Sequence, residues 1–225
     1  MVKKDIAGAV IILTILLLVP FRTNGSAKQN SSKGNDTKRH GMLYSWDALF
    51  INGPRHYLNS EYSAFSQYAA LCTDHFVDWG FVYYKSQRLI DVIVIHSTFN
   101  AGEGDEFSVA GVLNQFKNDG VTSHYLIDRE GKIYKLVPDS EIAFHAGESM
   151  LPDGRANVNY CSIGIELINS PDVPPDSCQY ESLNLLLFQL EMKYPIKIIT
   201  GHSDIAPERK DDPWLFNWGK IKRLY

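Results

Sequence analysis

Three short runs constrain this chain more than anything else in it: LIDVIVIHST from Leu89, SIGIELI from Ser162 and IKIIT from Ile196. Each is apolar and rich in β-branched residues, in the manner of strands buried in a sheet. In the first run Ile90, Val92, Val94 and His96 share one face; in the second Ile163, Ile165 and Leu167 face one way, Gly164 and Glu166 the other. Helical signals separate the runs. Phe107, Ala110, Leu113 and Phe116 fall on one stripe of a helix predicted over Glu106 to Asn118 and ended by Gly120. Leu183, Leu186, Leu187 and Leu190 mark a second, from about Gln179 to Lys193, stopped by Pro195. SHYLIDREGKIYKLV reads as a hairpin turning at Asp128 to Gly131. Strands interleaved with helices, plus one hairpin, predict an α/β domain with a mixed central β-sheet flanked by helices.

The segments before Leu89 differ from this pattern. Lys3 and Lys4 precede the apolar run Ile6 to Val19, which leads to Pro20 and then Gly25, Ser26 and Ala27. Residues 1–27 therefore read as a secretory signal, or as an uncleaved anchor tethering the protein to a membrane, and predict an exported, periplasmic or secreted protein. No cysteine stands near the end of the run, which argues against a lipid anchor. Residues 28–41 contain no apolar side chain and form a polar linker. The domain then spans 42–225, with an aromatic-rich extension, 42–87, expected to pack on a core from 88 onward. The formal net charge of −4 becomes more negative once the basic leader is removed, so nucleic acid is excluded as a natural partner. Cys72, Cys161 and Cys178 permit one disulfide, with Cys161–Cys178 closing the shortest loop, or free thiols throughout.

Four polar residues stand out against the apolar runs: His96 and His202 at two strand ends, Glu166 within a strand, and Asp212 in the loop GHSDIAPERKDDP. Taken singly, a histidine that ends a strand and an Asp-Pro turn have structural readings. Glu166 is harder to explain, because a buried carboxylate needs a cation, a donor or a wet cavity. Two imidazoles and one carboxylate are a zinc ligand set that leaves a fourth position for water.

The ordered motifs VIVIHST, SHYLIDREGKIYKLV, FHAG, NYCSIGIEL and GHSDIAPERKDDP resemble the zinc-dependent N-acetylmuramoyl-L-alanine amidases, the type that includes the bacterial AmpD and AmiD enzymes, relatives of phage amidases and of the animal peptidoglycan recognition proteins. The resemblance covers about 89 to 218. It implies Zn2+ held by His96, His202 and Asp212, with Asp211 the neighbour of the ligand. It implies Glu166 as the general base toward a zinc-bound water and Lys210 beside the developing oxyanion. Arg209 then presents a guanidinium to a stem-peptide carboxylate, and His145 and Asn159 lie around the substrate groove. The implied activity is hydrolysis of the amide between N-acetylmuramic acid and L-alanine in peptidoglycan or muropeptides. Two other readings are a peptidoglycan receptor without catalysis and a zinc peptidase acting on the stem.

Overall fold

A computed structural model describes residues 63–64 and 66–223. The expected leader, the polar linker and residues 42–62 of the aromatic-rich extension lie outside the described residues. Among the described residues no helix is long and apolar enough to cross a membrane. The strands are β1 (Cys72–Asp74), β2 (Phe81–Val82), β3 (Val92–Thr98), β4 (Tyr125–Ile127), β5 (Ile133–Lys135), β6 (Ile142–Ala143), β7 (Ser162–Ile168) and β8 (Ile198–Gly201). The α-helices are α1 (Val109–Asp119), α2 (Ser177–Lys193) and the single turn α3 (His202–Ile205).

Six strands make one sheet in the order β1-β5-β4-β7-β3-β8. Only β4 and β5, the expected hairpin, pair antiparallel within it, so the sheet is mixed as the sequence predicts. A two-stranded ribbon of β2 and β6 stands apart from it. From the aromatic-rich extension, β1 joins the sheet edge, Tyr68 and Leu71 pack on one core cluster, and Trp79 and Phe81 on another. All three cysteines are free, which settles the open disulfide question for this structure.

The two long helices differ from expectation mainly at their N-termini, and caps explain why. Ser108 accepts the Gly111 N–H through its side chain, so α1 starts at Val109 rather than Glu106. Its buried residues are Val112, Leu113 and Phe116, while Ala110, expected on that stripe, is exposed. Gly120 closes the helix at φ 65°, a left-handed conformation natural to glycine. Asp176 caps α2 in a capping box with Gln179, whose buried amide also donates to the carbonyls of Ile127 and Ile168. The helix is thereby tied to β4 and β7 by hydrogen bonds as well as by its leucines.

The two sheet faces are unequal. Ile93, Ile95, Tyr125, Ile163, Ile165 and Leu167 point to one side, where Leu183, Leu186, Leu187 and Leu190 of α2 cover them in a continuous apolar cluster. Ile90 joins this cluster and not the face of Val92, because regular alternation begins only where β3 starts. The other face carries two smaller clusters. Leu126 and Ile168 pack with α1 in one; Val92 and Val94 pack with Ala146, Leu151, Val158 and Ile205 in the other. The polar positions lie on this second face.

One buried ion-pair cluster braces the hairpin against α2. Asp139, 4% exposed, accepts from Tyr125 Oη (2.6 Å), Lys193 Nζ (2.7 Å) and Tyr194 Oη (2.9 Å), and pairs with Lys135 (2.9 Å). Burial alone raises its carboxyl, but Lys135, Lys193 and Tyr125 outweigh that and hold it below the usual carboxylate range. Because the folded-state value is depressed, its stabilisation is present above the ordinary aspartate range and is lost as pH falls through the folded value. Asp139→Ala is expected to cost about 3 kcal/mol in urea unfolding, as when one partner of a buried network is removed.

Candidate metal centre

Register places the site. His96 on β3 and Glu166 on β7 are direct partners across adjacent interior strands, so both side chains leave the sheet on the same face. Ile95 pairs with Gly201, the last residue of β8, and His202 follows as the first residue of α3. The chain then turns back, with the Ser203 N–H donating to the Asp212 carbonyl (2.7 Å), and this brings the Asp212 carboxylate over the two rings.

The result is a convergence of three atoms of metal-ligating type. His96 Nδ1 lies 3.0 Å from His202 Nδ1, and Asp212 approaches them at 3.3 Å and 3.2 Å respectively. One ligand atom from each residue lies within 4.8 Å of the others, and all three residues are buried. Burial drives His96 down to about 4, so its ring is neutral at physiological pH. Lone pairs and a carboxylate this close repel one another unless a proton or a cation stands between them.

Glu166 supplies an independent sign that a cation fits. The residue is 9% exposed, and its Oε2 is buried without a hydrogen-bond partner. Burial and the nearby Asp212 carboxylate push its carboxyl well above the usual range, while Lys210 opposes them. A buried carboxylate with no donor, facing a cleft, suits a positive ion or a proton in transfer. Two imidazole nitrogens and a carboxylate oxygen are a donor set that zinc accepts readily.

The cleft above these groups is lined by His96, Glu166, His202, Lys210 and Asp212, with Phe144 among the aromatic walls. Phe99 and Trp214 pack edge to face at 5.7 Å in another part of its rim. A family model described as N-acetylmuramoyl-L-alanine amidase matches residues 86–214, the span that contains every one of these side chains. The chain belongs to that family.

Other members give the amidase domain its context. The 1,6-anhydro-N-acetylmuramyl-L-alanine amidase AmpD of Enterobacter cloacae is 46% identical over 102 residues, covering 44% of this chain and 54% of that protein. The N-acetylmuramoyl-L-alanine amidase AmiD of Escherichia coli (strain K12) is 36% identical over 151 residues, 59% of this chain and 52% of AmiD. The chain thus spans about half the length of the curated relatives it matches. Among solved structures, a selenomethionine AmpD derivative matches with a TM-score of 0.58 and 30% identity over 68% of this chain and 93% of its own. E. coli AmiD, in complex with the substrate anhydro-N-acetylmuramic acid-L-Ala-D-γ-Glu-L-Lys, matches with a TM-score of 0.51 and 31% identity, covering 63% and 64%.

Against the expected roles, the amidase domain brings His96, His202, Asp212, Glu166 and Lys210 into one cleft. Asp211 is exposed at the cleft rim, where it accepts from Trp214 Nε1 at 3.0 Å. The three residues expected on the substrate side stand differently toward the cleft. Arg209 borders the cleft, but its Nη2 is spent on the carbonyls of Ala146 (2.7 Å) and Glu148 (2.8 Å), so one arm of its fork braces a loop. Asn159 is not part of the cleft wall; its Oδ1 accepts the N–H groups of His145 (3.2 Å) and Ala146 (2.8 Å) from behind. His145 does reach the cleft floor, but its ring lies between His96 Nε2 (3.0 Å) and Ser162 Oγ (3.1 Å).

Ser162 and the Ala146 carbonyl were missed from sequence altogether. A trace of them exists in Gly164: a Cβ there would meet the His145 ring at 2.4 Å, so the glycine of SIGIEL is the space that ring occupies. Read forward, an unexplained glycine beside a catalytic-type glutamate is a hint that another side chain lies across the strand.

Proposed function

We propose that the chain is a zinc amidase that hydrolyses the amide between N-acetylmuramic acid and the L-alanine of muropeptides. The convergence of His96 Nδ1, His202 Nδ1 and the Asp212 carboxylate beside the unpartnered Glu166 carboxylate is the observation that supports this reading. Zinc, when bound by those three residues, lowers the pKa of water and polarises a carbonyl oxygen. Glu166 then takes a proton from the attacking water and returns it to the alanine nitrogen as the amide breaks. Burial, the main cause of its raised carboxyl, favours keeping the proton on Glu166 until the leaving amine takes it. Lys210, on the cleft wall, stabilises the negative charge that develops on the carbonyl oxygen. The products are a sugar lactyl acid and a peptide with a free alanine amine.

The substrate class is inferred from the relatives, one of which was solved with an anhydro-muramyl peptide in place. The apolar run Ile6 to Val19 supports placing the activity outside the cytoplasm. Incubation of the protein with a defined muramyl-tripeptide, followed by mass analysis, should yield a peptide beginning with free alanine. Cleavage inside the stem would assign the site to a peptidase, and binding without cleavage would make it a receptor.

A further inference from the structure

We propose that the loop His145–Glu148 sets the tautomer of both histidine ligands, with His145 a positioning residue acting through His96; this rests on the zinc reading above. Hydrogen-bond polarity carries the argument. Ser162 Oγ donates to the Val158 carbonyl (2.6 Å), which can only accept, so toward His145 the hydroxyl acts as acceptor. His145 Nε2 therefore carries the hydrogen, and in the neutral ring Nδ1 is the acceptor. Across 3.0 Å that Nδ1 takes the hydrogen of His96 Nε2 and leaves the His96 Nδ1 lone pair aimed at Asp212.

His202 reaches the same state by a shorter route. Its Nε2 faces the Ala146 carbonyl at 3.1 Å, must donate to it, and so presents Nδ1 to the site. The same carbonyl also receives Arg209 Nη2, and Asn159 holds the two amides just before it. The turn needs Gly147 at φ 58°, where Arg209 lies 3.0 Å from the place a Cβ would fill. One loop, pinned by Arg209 and Asn159, thus supplies an acceptor behind each ring. Acceptors in this position fix the donor nitrogen and raise its basicity toward a metal.

Imidazole 15N chemical shifts of the metal-free protein and zinc affinity by chelator competition test the proposal. In the wild type both His96 and His202 should show the Nε2–H tautomer. In His145→Leu, His96 alone should become a tautomer mixture, and zinc affinity should fall by about 10- to 100-fold. His145→Asn, which returns an acceptor oxygen near the lost Nδ1, should recover most of both readouts. Ser162→Ala, which keeps the ring but removes its own acceptor, should move His96 in the same direction as His145→Leu, and serves if His145→Leu does not fold. An Nδ1–H tautomer at His96 in the wild type, or unchanged shifts and affinity in folded variants that have merely lost thermal stability, would overturn the proposal. A wild type that takes up no zinc sinks the metal reading instead, while the tautomer comparison still decides this one.

Discussion

Glu166→Gln is expected to lower kcat on a muramyl-peptide by about 10³-fold, within the range removed with a general base, while the protein still binds one zinc. The substitution keeps the shape of the side chain and removes its ability to hold a proton in transit. Since Oε2 has no hydrogen-bond partner in the fold, no native bond is lost. Removing a buried, unpaired carboxylate should leave the melting temperature unchanged or raise it. Kinetics, zinc content and a thermal melt on one preparation separate these effects. A variant that turns over at close to the wild-type rate would remove Glu166 from the role of base.

Stripping the metal should abolish hydrolysis, and stoichiometric zinc should restore it. His202→Ala should give the same inactive state without rescue, because it deletes one of three ligand atoms and leaves Asp212 facing a single ring. Metal binding is also folding energy: at a free zinc concentration of 100 times Kd, the native state gains about 2.7 kcal/mol. The metal-free protein should therefore melt lower, and the His202→Ala protein should show no such zinc-dependent rise. Full activity in thoroughly metal-free protein would contradict the assignment.

How much of this was legible beforehand follows from where the physics is local. β3, β7 and β8 are legible because strands covered on both faces are written as short, nearly unbroken apolar, β-branched runs, and α2 because its leucines repeat at helical spacing. β1 and β2, of three and two residues, carry too little pattern of their own and exist through their partners β5 and β6. Ala110 falls off the buried face because that face runs through Val112, Leu113 and Phe116, while Phe107, which suggests the stripe, precedes the helix. In the site, His96, Glu166 and His202 could be marked as polar groups on apolar runs, whereas the distinction between Asp211 and Asp212 came only from family resemblance. Asn159 and His145 were placed in the groove because resemblance aligns residues with a neighbourhood. How they stand toward His96 depends on a loop that crosses β7 on the face of Glu166, made possible by the missing Cβ of Gly164, and no local pattern encodes that.

The two unequal sheet faces carry a consequence for how such a domain can change its diet. His96 and Glu166 stand on two adjacent interior strands, with the leucine-covered core directly beneath them. Phe99, Phe144 and Trp214, by contrast, stand on connections: after β3, after β6 and after the Asp212 turn. The cleft walls can therefore be exchanged residue by residue, or lengthened, without shifting the frame that holds His96 and Glu166. New substrates are open to this scaffold through its walls, while its chemistry is anchored in its floor.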